Sequence, residues 1–319
     1  MLDFFKKKLK KDARVAVCAD DSAITVARVR REKDLPPSLE VCEVQDVENL
    51  SVRDAELVRL TKAYDLDEYT CMSSLELGDY NLLLVEAPDV QPDELRAAIR
   101  WRVKELIDFN IDDAVVDVFE APSYKAAGNN KMMYAVVARA NRVKEIIDRL
   151  NGAGLNLDII DIPELALRNV SAMLPEDVGG VALIYIGLRQ GLITITKQSQ
   201  LYLSRTINVG SESLPEDVLS VMDDETCQQW LDNVVIEVQR SMDFYESHFS
   251  QPQVTALVIT PIGKEIPGLT EYLSEQLQIP SRILDVNELI DADEPIPAHV
   301  QSRCLLAIGT ALRQEAVTL

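Results

Sequence analysis

Two stretches of the chain alternate in the same way. In Arg14–Arg30, RVAVCADDSAITVARVR, a β-rich run reaches a polar turn and returns as a second apolar strand. Val181–Lys197, VALIYIGLRQGLITITK, does the same around a glycine-containing turn. The strands are apolar on two sides, which predicts sheets covered on both faces. A third strand follows each hairpin, at Ser38–Val44 and Leu201–Val209. A three-strand unit that recurs with helices between predicts an α/β fold whose two related lobes face each other across a cleft.

The intervening segments keep the alternation of strand and helix. Asn81–Glu86 reads as a buried strand, and Pro92–Phe109 as a helix with Leu95, Ala98, Ile99, Val103, Leu106 and Ile107 on one face. Trp101 falls off that stripe, among Arg96, Arg100, Arg102 and Lys104. Ala114–Phe119, Met132–Ala138 and Leu157–Ile162 read as strands. Val143, Ile146, Ile147 and Leu150 mark a helix ended by Gly152, and Pro163 opens the next. A long helix is marked by Cys227, Leu231, Val234, Val235, Val238, Met242, Tyr245 and Phe249. Val254–Thr260 is a strand before the turn at Pro261–Gly263, a helix carries Leu269, Tyr272, Leu273 and Leu277, and Cys304–Arg313 reads as a final helix. Gly309 inside it permits close packing on a neighbour or approach of a ligand. Tyr124–Lys131 and Asp285–Pro297 read as surface loops. The predicted division is a basic leader at 1–12, a first lobe at 13–175 with an inserted subdomain at about 80–140, and a second lobe at 176–319.

Composition narrows the functional classes. The net charge of −21 over 319 residues excludes nucleic acid as a general partner, because phosphate backbones need a basic surface. The leader MLDFFKKKLKKDAR departs from that balance, with Leu2, Phe4, Phe5 and Leu9 interleaved among Lys6, Lys7, Lys8, Lys10 and Lys11. It has two readings, a solvated terminus or a short amphipathic helix on an anionic inner leaflet. No stretch reaches the ~20 apolar residues of a membrane span. Cys18, Cys42, Cys71, Cys227 and Cys304 form no CxxC pair and the histidines are His248 and His299, so free thiols in a reducing compartment are expected, without a zinc site. Neither GxxxxGK[ST] nor GxGxxG occurs, and two isolated histidines support no triad.

Several passages, in order along nearly the whole chain, carry a family resemblance: VAVCADDSAITVARV, DYNLLLVEAPDVQPDELRAAIRWRVKELIDFNIDDAVVDVF, LNLDIIDIPELALRN, the second hairpin, IEVQRSMDFYES, PIGKEIPGLTEYLSEQLQIP and LAIGTALR. The second of these is the most distinctive. Together they resemble the PilM branch of the actin/Hsp70 superfamily, and within it the MshI-like group of mannose-sensitive haemagglutinin (MSHA) pili. The resemblance implies an actin-like, ribonuclease H-like fold in two lobes, with duplicated mixed sheets flanked by helices and a small inserted subdomain. It also implies loops that hold nucleotide phosphates and Mg²⁺ through Asp-Ile/Leu-Gly openings.

Laid on this chain, the first phosphate loop puts Cys18 at the aspartate, Asp20 at the glycine and Thr25 at the lysine, with Ser22 a retained hydroxyl. In the second loop Tyr185 takes the aspartate position while Gly187 keeps the glycine. The adenosine-side glycines become Pro261 and Ile262, with Gly263 surviving. Cys18 and Tyr185 offer Mg²⁺ no hard anionic oxygen. Asp20 sets a charge against phosphate at a cost of about 1–4 kcal/mol for effective dielectrics of 80 to 20. The expectation is a vestigial nucleotide site of Asp20, Ser22, Gly187 and Gly263, with MgATP disfavoured and no catalytic residue. What the resemblance then implies is a structural adaptor of pilus assembly on the cytoplasmic side of the inner membrane, only peripherally attached. It would grip the N-terminal peptide of an inner-membrane PilN-like partner near 81–119, and touch the assembly ATPase or a platform protein. Arg100, Trp101 and Arg102 are the candidate contacts, although Trp101 could equally pack on the adjoining lobe. The alternatives are a weak ATP-binding PilM-like ATPase, or the cytoplasmic domain of a GspL-like type II secretion component, which requires a continuation into a membrane span.

Overall fold

The structure, a computed structural model, describes residues 9–33, 35–91, 94–122, 131–214 and 225–314. Over these the chain divides into two compact units, one within 9–76, 140–166 and 286–314, the other within 77–139 and 167–285. The basic leader falls outside the described residues up to Lys8, and its end is already strand.

In the first unit, strands β1 (Lys10–Ala19), β2 (Ala23–Arg30) and β3 (Ser38–Asp46) form an antiparallel meander. Strands β4 (Tyr69–Ser74) and β8 (Asn156–Asp161) extend it beyond β1 in parallel, and the two-residue β14 (Asp291–Ala292) joins the β3 edge. Val15, Val17, Ile24 and Val26 share a core with Leu57 and Leu60 of α1 (Leu50–Ala63) and Leu150 of α3 (Ala140–Gly152). The alternate residues Ala16, Ala27 and Val29 are equally buried, as a sheet covered on both faces requires. Helix α7 (Ala298–Ala311) lies across β1 to β4. The sequence division placed this helix in the second lobe. Local periodicity gives a helix its apolar face but not the sheet that face meets, and here the partner is the first sheet. A Cβ at Gly309 would stand 2.3 Å from the Ala166 carbonyl oxygen in α4 (Pro163–Ser171), so the glycine is there for close packing of backbone on backbone.

The second unit repeats the pattern. Strands β9 (Val181–Ile186), β10 (Gly191–Lys197) and β11 (Gln200–Ile207) are antiparallel, and β12 (Ala256–Ile259) and β13 (Ser281–Ile283) continue in parallel beyond β9. The order β11-β10-β9-β12-β13 thus matches β3-β2-β1-β4-β8 strand for strand. Ile184, Ile193 and Ile195 pack on Leu231, Val234 and Val238 of α5 (Glu225–Phe249) and on Leu269 and Leu273 of α6 (Leu269–Leu277). The inserted segment, which the sequence division assigns to the first lobe, belongs to this unit instead, contributing a three-stranded antiparallel sheet of β5 (Tyr80–Glu86), β7 (Met132–Arg139) and β6 (Ala114–Glu120) in that order. Its core is closed by Ile99 and Val103 of α2 (Leu95–Val103). The Tyr134 hydroxyl donates to the Tyr202 carbonyl at 2.7 Å, tying this small sheet to β11.

Helix α2 is shorter than its apolar stripe predicts. The chain leaves the helix after Val103 because β6 begins at Ala114 and must run back along β7, and Leu106 is left exposed. Helix α1 and strand β4 carried too little alternation to be read in advance. Among the described residues no helix is long and apolar enough to cross a membrane. None of the five cysteines is in a disulfide.

Candidate functional site

The first loop closes the β1–β2 hairpin, between the pairs Cys18–Thr25 and Ala19–Ile24. One oxygen of Asp20 organises it. Asp20 Oδ1 accepts from the Ser22 amide (2.6 Å), the Ser22 hydroxyl (2.7 Å) and the Ala23 amide (2.8 Å). The Asp20 amide in turn donates to the Ala23 carbonyl at 3.0 Å. An anion held on the amides of such a loop needs those amides free and unopposed by charge. Here an internal carboxylate takes them.

Two arginines buttress the loop from behind. Arg53 of α1, 7% exposed in its side chain, donates to the Asp20 carbonyl at 3.4 Å and pairs with Asp21 and Asp54. Arg149 of α3 donates to the Ala19 carbonyl, and burial pushes its guanidinium pKa down. The sequence reading missed both, since an arginine in an amphipathic helix looks like any solvated charge. Burial pushes the Cys18 thiol pKa up to about 12, so it stays a neutral S–H at pH 7. On the same edge of this sheet, Asp161 at the end of β8 is paired with Arg313 at 2.8 Å, and its side chain is 2% exposed.

The second and third loops lie in the other unit, at the ends of the adjacent parallel strands β9 and β12. Gly187 closes the β9–β10 hairpin by donating its amide to the Gln190 carbonyl at 3.0 Å. A Cβ on Gly187 would stand 2.8 Å from that oxygen and 3.3 Å from Tyr185 Cε1. The glycine is thus required by the turn itself, and the Tyr185 ring occupies the space beside it. After β12, Pro261 is buried, Ile262 packs against the core, and Gly263 takes a φ of 79° that an L side chain rarely adopts. Each surviving glycine therefore has a local structural reason to be there. Asp20 and Ser22 sit together in the first unit, Gly187 and Gly263 in the second.

The three α2 residues do not share a face, because successive helical residues are about 100° apart. Arg100 is half-buried and turned inward, donating to the carbonyls of Ala114 (2.9 Å) and Ile111. Trp101 is 76% exposed, and Lys104 Nζ lies 5.6 Å from its ring centroid. Arg102 is exposed and 3.7 Å from Glu86 of β5. An exposed tryptophan flanked by cations is suited to gripping a peptide, whereas Arg100 holds the subdomain together.

Residues 84–229 match the family model of the type IV pilus assembly protein PilM. No curated protein matches the chain. Among solved structures, it is similar to a chain of the PilM-PilN type IV pilus biogenesis complex, with TM-score 0.74, 18% identity, and 94% of this chain and 97% of that one covered. It is also similar to the cytoplasmic domain of EpsL, an inner-membrane component of the type II secretion system of Vibrio cholerae (TM-score 0.51, 13% identity, 95% of each chain). A third likeness is to a Bacteroides thetaiotaomicron protein with an actin-like ATPase fold and unknown function (TM-score 0.51, 10% identity, 96% and 98% covered). The duplicated sheet order and these likenesses agree: the chain has the actin-like α/β fold, in a PilM-like form.

Proposed function

We propose that the chain is a structural adaptor of type IV pilus assembly, of the MSHA type, that holds the extended N-terminal peptide of an inner-membrane PilN-like protein without turning over ATP. The likeness over 94% of the chain to a protein of a PilM-PilN complex supports the partner. The observation that carries the loss of nucleotide chemistry is the first loop, whose amides at Ser22 and Ala23 are held by Asp20 Oδ1. A neutral Cys18 and the ring of Tyr185 leave both aspartate positions without a carboxylate. The inserted three-stranded sheet with exposed Trp101 and Arg102 is the proposed grip, and such capture of an extended segment requires no catalysis. The protein would then act on the cytoplasmic face of the inner membrane, held there through its partner, with the assembly ATPase or a platform protein as further contacts.

The test is capture from detergent-solubilised inner membranes with the intact chain, Trp101→Ala and Arg102→Glu. The wild-type protein should retain a PilN-like protein and the two variants should retain less. Equal retention by all three would remove α2 from the interface, and no such protein among those retained would remove the partner.

A further inference from the structure

Away from the three loops, the first unit has a pocket of about 400 Å³ lined by Asp12, Arg14, Arg31, Glu32, Lys33 and Arg313 among others. The start of β1, the end of β2 with the turn after it, and the end of α7 bring these side chains together. Four cationic groups thus face two carboxylates, in a chain whose net charge is −21. Asp12 already carries the Arg30 guanidinium, Arg313 is held by Asp161, and Arg14 Nη1 donates to the Arg313 carbonyl.

Arg31 is the informative member. Its Nη2 donates to the Leu312 carbonyl at 3.0 Å. With the Gln314 amide oriented to satisfy both groups, that amide's oxygen accepts from Arg31 at 2.7 Å. Both acceptors are neutral, and the buried Nε atoms of Arg31 and Arg313 meet no acceptor at all. Burial, and then the neighbouring charge of Arg14, push the Arg31 guanidinium pKa down. A half-buried cation beside another cation, with donors left over and space in front of it, is the arrangement that an oxyanion relieves. The leader adds a reason for the ligand class. Its lysines Lys6, Lys7 and Lys8 enter the chain just before β1, the strand that supplies Asp12 and Arg14.

We propose that this pocket binds a phosphate-class oxyanion, gripped by Arg31 and Arg14 with exposed Lys33 beside them. The anion is either the headgroup of an anionic phospholipid or a free phosphate. The experiment uses the full chain, Arg31→Gln and Lys33→Gln at low ionic strength. Two probes are titrated: inorganic phosphate by calorimetry, and vesicles of phosphatidylglycerol in phosphatidylcholine by flotation. Arg31→Gln should weaken binding about tenfold or more, as loss of a charge-assisted donor pair does, and Lys33→Gln by a few-fold. Phosphate binding without flotation supports the site with a free anion as its ligand. Flotation that falls in both variants supports it with a headgroup. Binding of neither probe, or binding equal in all three proteins, overturns the proposal. Lys33 is exposed, so its variant keeps the test open should Arg31→Gln fail to fold.

Discussion

Replacing Asp20 separates a loop held by its own carboxylate from a loop whose amides await a phosphate. Three hydrogen bonds of 2.6, 2.7 and 2.8 Å end on the single atom Oδ1. Buried, such charge-assisted bonds would contribute about 1.5–3 kcal/mol each. Asp20 and Ser22 are exposed, however, and water replaces much of what is lost. The nearest measured analogy is removal of a helix-capping side chain, which costs about 0.5–2 kcal/mol, so Asp20→Ala should lose about 1.5 kcal/mol locally. Asp20→Asn keeps an oxygen at the same position and should lose well under half of that. The assay is native-state amide hydrogen exchange at Ser22 and Ala23, which reads the loop itself and does not need two-state unfolding of a chain with two units. A loss of about 1.4 kcal/mol is a tenfold faster exchange. Ser22 and Ala23 should therefore exchange about tenfold faster in Asp20→Ala and only slightly faster in Asp20→Asn. Unchanged exchange in Asp20→Ala would show that the carboxylate does not hold these amides, and the argument for a self-occupied loop would fail.

Three further outcomes follow from the same structure. Trp101→Ala should leave thermal stability within about 0.5 kcal/mol because the side chain is 76% exposed, whereas Arg100→Ala, one residue earlier, should cost about 1–3 kcal/mol through the carbonyls of Ile111 and Ala114; equal effects would contradict the opposed orientations. Gly309→Ala should destabilise by about 1–3 kcal/mol in urea unfolding, since its Cβ would meet the Ala166 carbonyl at 2.3 Å, while Gly152→Ala, with nothing within 4 Å, should stabilise by about 0.5 kcal/mol. Cys18, with its thiol pKa raised from 9.0 to about 12, should resist iodoacetamide at pH 8 as read by mass spectrometry. The folded state keeps this proton to higher pH than the unfolded state, so the contribution is complete below pH 9 and is lost as pH rises from 9 toward 12; alkylation at the rate of a free cysteine would refute it.

The repeated hairpins were legible because doubly apolar strands around a polar turn leave few alternatives, and the sheet order bears out the duplication they implied. Gly309 was also readable, as a small residue inside a helical stripe. The reach of α2 was not: Leu106 continues the stripe, but where β6 must start decides where the helix stops. The side of the fold taken by α7 was hidden for a similar reason, since an apolar face does not name its partner. At the candidate site the substitutions at Cys18, Asp20 and Tyr185 were visible as residue types. What Asp20 does with its carboxylate was not, because the sequence suggests only a misplaced charge and the structure shows a turn built on it. Arg53 and Arg149 carried no signal at all. Grouping Arg100 with Trp101 and Arg102 was a neighbour-in-sequence argument, which a helix breaks by turning adjacent side chains to different faces.

An adaptor of this kind holds its partner without nucleotide. Its most direct test is calorimetric titration of a PilN-like N-terminal peptide into the intact chain, with and without MgATP, while phosphate release is followed. Binding should be tighter than about 100 μM, with the same affinity in both conditions and no phosphate released. Peptide binding that appears only with MgATP, or turnover of ATP on binding, would contradict it.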